Sequence, residues 1–321
     1  MLNNAINKKI MKQFTNNILM IRPISFRYND QTAVNNYYQN SLNNLSADKV
    51  QQAALLEFDN LVEKLESVGV NVIVFKDTKN TDTPDSVFPN NWVSFHENGM
   101  IALYPMYAKN RRAERRQDIF NSLVVKFGFQ IEKIKDYTSF EKQSKFLEGT
   151  GSMVLDRQNK ICYAAISVRT DKLVVMKFCQ EFEYLPVCFS AYQDVNSIRK
   201  PIYHTNVMMC VADKFAIICL EAIDDIDERR DVLTTLSNTK KEIIQITQEQ
   251  KNKFAGNMLQ VMGDKAYLVM SDSAYDSLDD KQKSTIEKYC SIIHSSLSTI
   301  ESCGGGSARC MMAEVFLPKS R

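Results

Sequence analysis

The sequence predicts an α/β fold assembled from four or five ββαβ-type modules rather than one doubly wound sheet. Three observations predict it. Short β-branched or apolar runs come in pairs, each pair is followed by a helix-like segment and a return strand, and no linker rich in Pro, Gly or Ser divides the chain. At 321 residues and 44% hydrophobic, the chain can bury a sizeable core. One domain over residues 18–319 is expected, preceded by a polar tail over 1–17.

The modules are read in order. Ile18 to Arg22 forms a short buried strand, followed by a polar stretch, Tyr28 to Leu45, rich in Asn and Tyr. Ser46 then caps a helix whose apolar residues Val50, Ala54, Leu55, Phe58, Leu61, Val62 and Leu65 follow the 3.6 period. Gly69 stops that helix before the β-branched run Val70 to Phe75. The next unit has a strand at Met100 to Tyr104, a helix at Arg112 to Phe127 and a strand at Phe129 to Ile134. Strands at Ser152 to Leu155 and Ile161 to Ala165 precede a helix near Thr170 to Gln180. Strands at Asn206 to Val211 and Phe215 to Cys219 precede one near Asp227 to Thr235. Met258 to Val261 and Ala266 to Met270 lead into a last helix near Asp279 to His294.

Composition excludes several classes. Lys plus Arg (40) nearly cancels Asp plus Glu (38), so no positive field is available to hold a nucleic acid or an anionic membrane. No apolar run reaches the roughly 20 residues that span a bilayer, and the N-terminus lacks an apolar signal core, which makes a cytoplasmic location the default. The eight cysteines sit mostly in apolar strand-like runs, as small buried hydrophobes do, and three separated histidines without a CxxC pair give no metal site. No Gly-rich nucleotide loop is present, so no cofactor is expected.

Three segments carry chemistry. In Cys303-Gly304-Gly305-Gly306-Ser307-Ala308-Arg309-Cys310, three glycines precede an apolar strand, Met311 to Leu317. Their ordering cost makes sense where backbone turns tightly and a ligand approaches the side chain that follows. Cys310 is then a nucleophile candidate, which needs a proton carrier. His204, at a loop-to-strand boundary, is the candidate, whereas His96 lies in a turn and His294 in a helix-like segment. Glu148 begins Glu148-Gly149-Thr150-Gly151-Ser152, a carboxylate at a tight turn before a strand. Each feature alone has an ordinary structural reading: a flexible loop, a strand-edge histidine, a turn glutamate.

Their order, Glu148, His204, Cys310, resembles the guanidino-group-modifying enzymes: arginine deiminase, dimethylarginine dimethylaminohydrolase, the amidinotransferases and succinylarginine dihydrolase. The stretch Pro84-Asp85-Ser86-Val87-Phe88-Pro89-Asn90-Asn91-Trp92, with Asn110-Arg111-Arg112, is similar to the first substrate segment of dimethylarginine dimethylaminohydrolase. Ser167-Val168-Arg169-Thr170 resembles its later arginine-bearing loop. The resemblance covers roughly Ile21 to Leu317. It implies a five-bladed αβ-propeller (pentein) of pseudo-fivefold symmetry, with catalytic Cys310, His204 and Glu148 around one site. It also implies Asp85, Phe88, Asn91 and Asn206 as substrate contacts, with Arg111 and Arg169 for the substrate carboxylate, since a guanidinium fork matches a carboxylate.

The chain departs from the deiminases at Asn91 and Asn206, where those enzymes resemble it but carry aspartates. An asparagine offers donors and an acceptor but no charge, so a neutral ureido group is favoured over a cationic guanidinium. The stretches Phe88-Pro89-Asn90-Asn91-Trp92 and Gly304-Gly305-Gly306-Ser307-Ala308-Arg309-Cys310-Met311 resemble the bacterial arginine-deiminase-related proteins assigned to citrulline utilisation, which implies a citrulline ureidase releasing ornithine, ammonia and carbon dioxide, with a guanidino or ureido amino acid as the small-molecule partner. Arginine or methylarginine hydrolysis and amidino transfer stay open, as does a homo-oligomer. A non-catalytic binding propeller would lack the cysteine, histidine and carboxylate set. Asn257, in Gly256-Asn257-Met258-Leu259, is either a residue lining the site or a turn asparagine, the turn being the ordinary reading.

Overall fold

The computed structural model describes residues 12–42, 45–78 and 80–319. Residues 1–11 of the expected tail lie outside it. The tail's described end is tied down: Gln13 is buried and its Nε2 donates to the carbonyls of Leu155 and Val211, both at 2.9 Å.

Among the described residues there are five three-stranded sheets and one two-stranded hairpin. Four sheets use consecutive strands: Val93–Phe95, Met100–Leu103, Lys133–Asp136; then Val154–Asp156, Ile161–Ala165, Leu185–Phe189; then Met209–Val211, Phe215–Ile218, Glu242–Gln245; then Leu259–Met262, Ala266–Ser271, Ser291–Ser295. In each, the first two strands pair antiparallel and the second and third parallel, across a helical crossover. The fifth sheet has the same pattern from both ends of the chain. Asn17–Arg22 pairs parallel with Asn71–Lys76 and antiparallel with Ala313–Glu314, so the C-terminal strand completes the first module.

Local sequence explains the crossovers. The crossover helix of the first module, α1 (Ala47–Ser67), is capped by Ser46, whose side chain accepts from Lys49 N. Its buried stripe is Val50, Ala54, Phe58, Leu61 and Leu65, and Gly69 follows at φ +85°. Asp171 caps the crossover helix α2 (Lys172–Phe182), and Asp225 caps α3 (Ile226–Asn238).

Several expectations shift. The helix expected at Arg112 to Phe127 is a 3-10 turn, Asn110–Glu114, and a separate helix, Gln117–Val125, because Arg116 is extended between them. The strand expected from Phe129 begins at Lys133; Phe129 bridges Lys319 instead. The last long helix ends at Glu287, and Ile292 and Ile293 draw His294 into a strand, where its Nδ1 lies 2.7 Å from Asp272. The stretches expected as strands at Ser152 and Met311 are short helical turns with brief strands after them. No helix among the described residues is long and apolar enough to cross a membrane.

Candidate active site

One recurring position supplies the site: the turn just before the first strand of each sheet. Pro89–Asn91 carries Asn91, and Gly149–Ser152 follows Glu148. Thr205–Val207 follows His204 and carries Asn206, the turn at 254–257 ends on Asn257, and Ala308–Met311 carries Cys310. The turns pack side by side: Gly149–Ser152 against both Pro89–Asn91 and Thr205–Val207, and Pro89–Asn91 against Ala308–Met311.

Glycines permit that proximity. A Cβ on Gly151 would stand 2.4 Å from Asn91 Nδ2 and 2.8 Å from His204 Nδ1. Gly149 has φ +48°, and a Cβ there would meet the Asn90 carbonyl at 2.2 Å. Behind the nucleophile, Gly304 and Gly306 lie against the Phe88 ring.

Asn36, Asp85, Phe88, Asn91, Arg111, Arg169, Tyr203, His204, the three glycines and Cys310 line one small pocket. His204 Nε2 is 2.8 Å from Glu148 Oε2, and Glu148 Oε1 accepts from Tyr107 N at 2.9 Å. Burial alone pushes Glu148 upward, but Arg169, the His204 hydrogen bond and Arg111 outweigh it and hold the carboxyl below its ordinary value. Burial holds His204 down to about 4 despite the pull of Glu148, so the imidazole is neutral at neutral pH. With an ionised acceptor at Nε2, that nitrogen carries the hydrogen and Nδ1, beside Asn91, keeps its lone pair.

Both arginines are engaged by protein groups. Arg111 forks onto Glu114 at 2.8 and 2.9 Å, donates to Asn91 Oδ1 at 2.8 Å and to the Phe88 carbonyl at 3.2 Å. Arg169 donates to Asn35 and to the Thr32 carbonyl, and its Nη1 stands 3.4 Å from Glu148. Asp85 accepts from Asn29 and Thr32 on one oxygen; burial pushes its carboxyl up against the opposing pull of Arg111. The polar stretch Tyr28 to Leu45 thus supplies Asn29, Thr32, Asn35 and Asn36 to the site, which sequence reading passed over.

At the sulfur, Asn206 Nδ2 lies 3.3 Å and Asn257 Nδ2 3.2 Å from Cys310 Sγ. Asn257 therefore belongs to the site rather than to an ordinary turn. The repeated position before each first strand is the signal that could have found it.

A lone cysteine held by amides, facing a histidine–carboxylate pair across a small buried cavity, defines a cysteine-dependent hydrolase. Residues 22–317 match the family described as N,N dimethylarginine dimethylhydrolase, eukaryotic. The chain belongs to that family, within the guanidino-group-modifying enzymes, and is a hydrolase acting on non-peptide C–N bonds. Among solved structures it is similar to ArgZ, an arginine dihydrolase from the ornithine-ammonia cycle in cyanobacteria, at 18% identity and TM-score 0.72. That likeness covers 95% of this chain and 41% of ArgZ, so the chain spans about two fifths of it. The N-terminal domain of ArgZ bound to product matches at 19% identity and TM-score 0.68, covering 94% of this chain and 99% of that one. A dimethylarginine dimethylaminohydrolase adduct with S-methyl-L-thiocitrulline matches at 14% identity and TM-score 0.61, covering 93% and 98%. At these identities the likenesses establish the α/β fold. No curated protein matches the chain.

Proposed function

We propose that the protein hydrolyses the ureido group of citrulline to ornithine, ammonia and carbon dioxide, in a five-bladed αβ-propeller whose blades are the five like-paired sheets. One observation carries the substrate. Arg111 fixes the Asn91 oxygen, so Asn91 Nδ2, buried and without a partner, points away as a donor. A ureido oxygen accepts such a hydrogen; a guanidinium, all donors, does not. The unpartnered oxygens of Asn206 and Asp85 are acceptors for substrate N–H groups.

In this reading the Cys310 thiol gives its proton to His204 Nδ1 and attacks the ureido carbon, and His204 passes that proton to the nitrogen that departs as NH₃, leaving an S-carbamoyl enzyme. His204 Nδ1 then takes a proton from water as it attacks. The S–C bond breaks, and the resulting carbamic acid loses carbon dioxide to give ornithine. Glu148 holds the imidazole and steadies its charged form. Arg111 holds Asn91 in register, while Arg169, whose Nη1 makes only a 3.4 Å contact with Glu148, remains the group for the substrate carboxylate. The reading treats residues 18–319 as one catalytic domain.

A second reading is arginine dihydrolysis, with the ureido compound as its intermediate. The buried, unpartnered Asp85 oxygen favours it, because a carboxylate there suits a cationic guanidinium. Purified protein and Cys310→Ser should be given citrulline, arginine and dimethylarginine separately, with ammonia and product mass followed. Ornithine from citrulline alone supports the ureidase, and ornithine from both supports the dihydrolase. Citrulline accumulating from arginine, with added citrulline inert, rejects both.

A further inference from the structure

A cysteine attacks as its thiolate, so a group beside the sulfur must favour the anion. The ionic side of the site is poorly placed to do so. Asp85, Glu114 and Glu148 are buried opposite only Arg111 and Arg169, whose guanidiniums face those carboxylates. Among the described residues, the hydrogen bonds drawn to Cys310 Sγ come from Asn206 and Asn257.

The Asn257 amide has one orientation that works. Its Oδ1 accepts from the backbone N–H of Arg309 at 3.1 Å, which fixes the oxygen on the far side. Its Nδ2 donates one hydrogen to the Asn206 carbonyl at 3.0 Å and the other to Sγ at 3.2 Å. Flipping the amide would set its oxygen against that carbonyl and the sulfur, and its NH₂ against the Arg309 N–H. Asn257 is 1% exposed, so no solvent competes for these donors. The bond to the Asn206 carbonyl also fixes the turn from which the Asn206 amide reaches the same sulfur. Two N–H groups aimed at one sulfur from separate modules favour the anion over the thiol, because a charged acceptor makes the stronger hydrogen bond.

We propose that Asn257 is a catalytic residue of this site: with Asn206 it stabilises the Cys310 sulfur as a thiolate when its proton leaves. The S–H bond breaks with its electron pair left on sulfur, and the proton goes to His204 Nδ1, neutral until then, which carries it to the departing nitrogen. This assignment rests on Cys310 being the nucleophile and not on which amino acid is cleaved.

The test uses the full chain and iodoacetamide, with Cys310 modification read by peptide mass and the 240-nm thiolate absorbance taken against Cys310→Ser. At pH 7 the expected result is alkylation slowed by about tenfold in Asn257→Ala, the order of one lost hydrogen bond to a charged group. Asn257→Asp, similar in shape but with a carboxylate on the sulfur, is expected to be slower still. Asn257→Ser, which keeps a donor, should recover part of the loss, and all rates should converge with wild type at high pH, where the thiol ionises unaided. Alkylation rates and absorbance unchanged at every pH, with only the melting temperature lowered, would make Asn257 structural and overturn the proposal. If Asn257→Ala does not fold, Asn257→Asp and Asn206→Ala give the same readout. Turnover that survives complete Cys310 alkylation would instead reject the nucleophile assignment, whatever the pH profile of Asn257 variants.

Discussion

On one side of the cavity Glu148, Arg169, Arg111, Glu114 and Asp85 answer one another through ionic contacts between 2.8 and 3.8 Å. On the other, Cys310 lies among two asparagine amides, three glycines and the Phe88 ring. Ionic partners in a dry interior are costly to separate, so the first side is stiff and its geometry is over-determined. The second has only weak, directional contacts, and its order comes from backbone that fits nowhere else. Proton traffic belongs to the stiff side, and covalent chemistry belongs to the side where a substrate atom must come within bonding distance.

Breaking the stiff side should therefore cost most. Glu148→Gln removes the charge that fixes the His204 hydrogen on Nε2 and that balances Arg169, and ammonia release should fall by about 10³-fold, within the range of lost general acid–base assistance. A fall under tenfold in steady-state kcat would show that the pair is not the proton carrier. Gly151→Ala comes next. Its Cβ would intrude on both Asn91 Nδ2 and His204 Nδ1, misplacing two groups by a large fraction of an ångström, and a loss of about 10²-fold in kcat/KM is expected. A Gly151→Ala enzyme as active as wild type would mean that this contact relaxes freely.

The contrast between the two sides also explains what could be read from sequence. Most strand pairs, the crossover helices at Ala47–Ser67, Lys172–Phe182 and Ile226–Asn238, and the cap at Ser46 follow from local periodicity and hydrogen bonding, and they lie within a few residues of where the sequence puts them. Cys310, His204 and Glu148 stand out because glycine runs and turns surround them. The partners of Arg111 do not: a charge-dense run gives no hint that its guanidinium lies buried against Glu114 three residues on. Nor could local pattern show that Ala313–Glu314 pairs with Asn17–Arg22, nearly the whole chain away, or that Asn257 meets Cys310 from another module. Those are long-range contacts, set by how the modules close on one another.

The pH dependence sharpens the ionic side further. An imidazole in the unfolded chain titrates near 6.5, whereas His204 is held down to about 4 in the fold. Between those values the unfolded state binds the proton and the native state does not, so stability falls as pH drops from about 6.5 toward 4, by roughly 2 kcal/mol between pH 7 and 5. Urea unfolding at both pH values, compared with His204→Gln, isolates this part of the slope. Equal slopes in the two proteins would show that His204 is charged in the fold.

Gly306→Ala should have the smallest effect, and it tests the sulfur side directly. Its Cβ would meet Phe88 ring atoms at 3.0 Å and the Cys310 Cβ at 3.3 Å, a crowding that a small ring shift relieves, where Gly151 has fixed hydrogen-bonding groups in the way. A loss of a few-fold in kcat, with KM little changed, follows if the glycine run serves mainly to bring substrate close to sulfur. If Gly306→Ala instead costs as much as Gly151→Ala, the sulfur side is as rigid as the ionic side. The division of labour drawn from their different chemistry would then be wrong, because both sides would be fixed by packing alone.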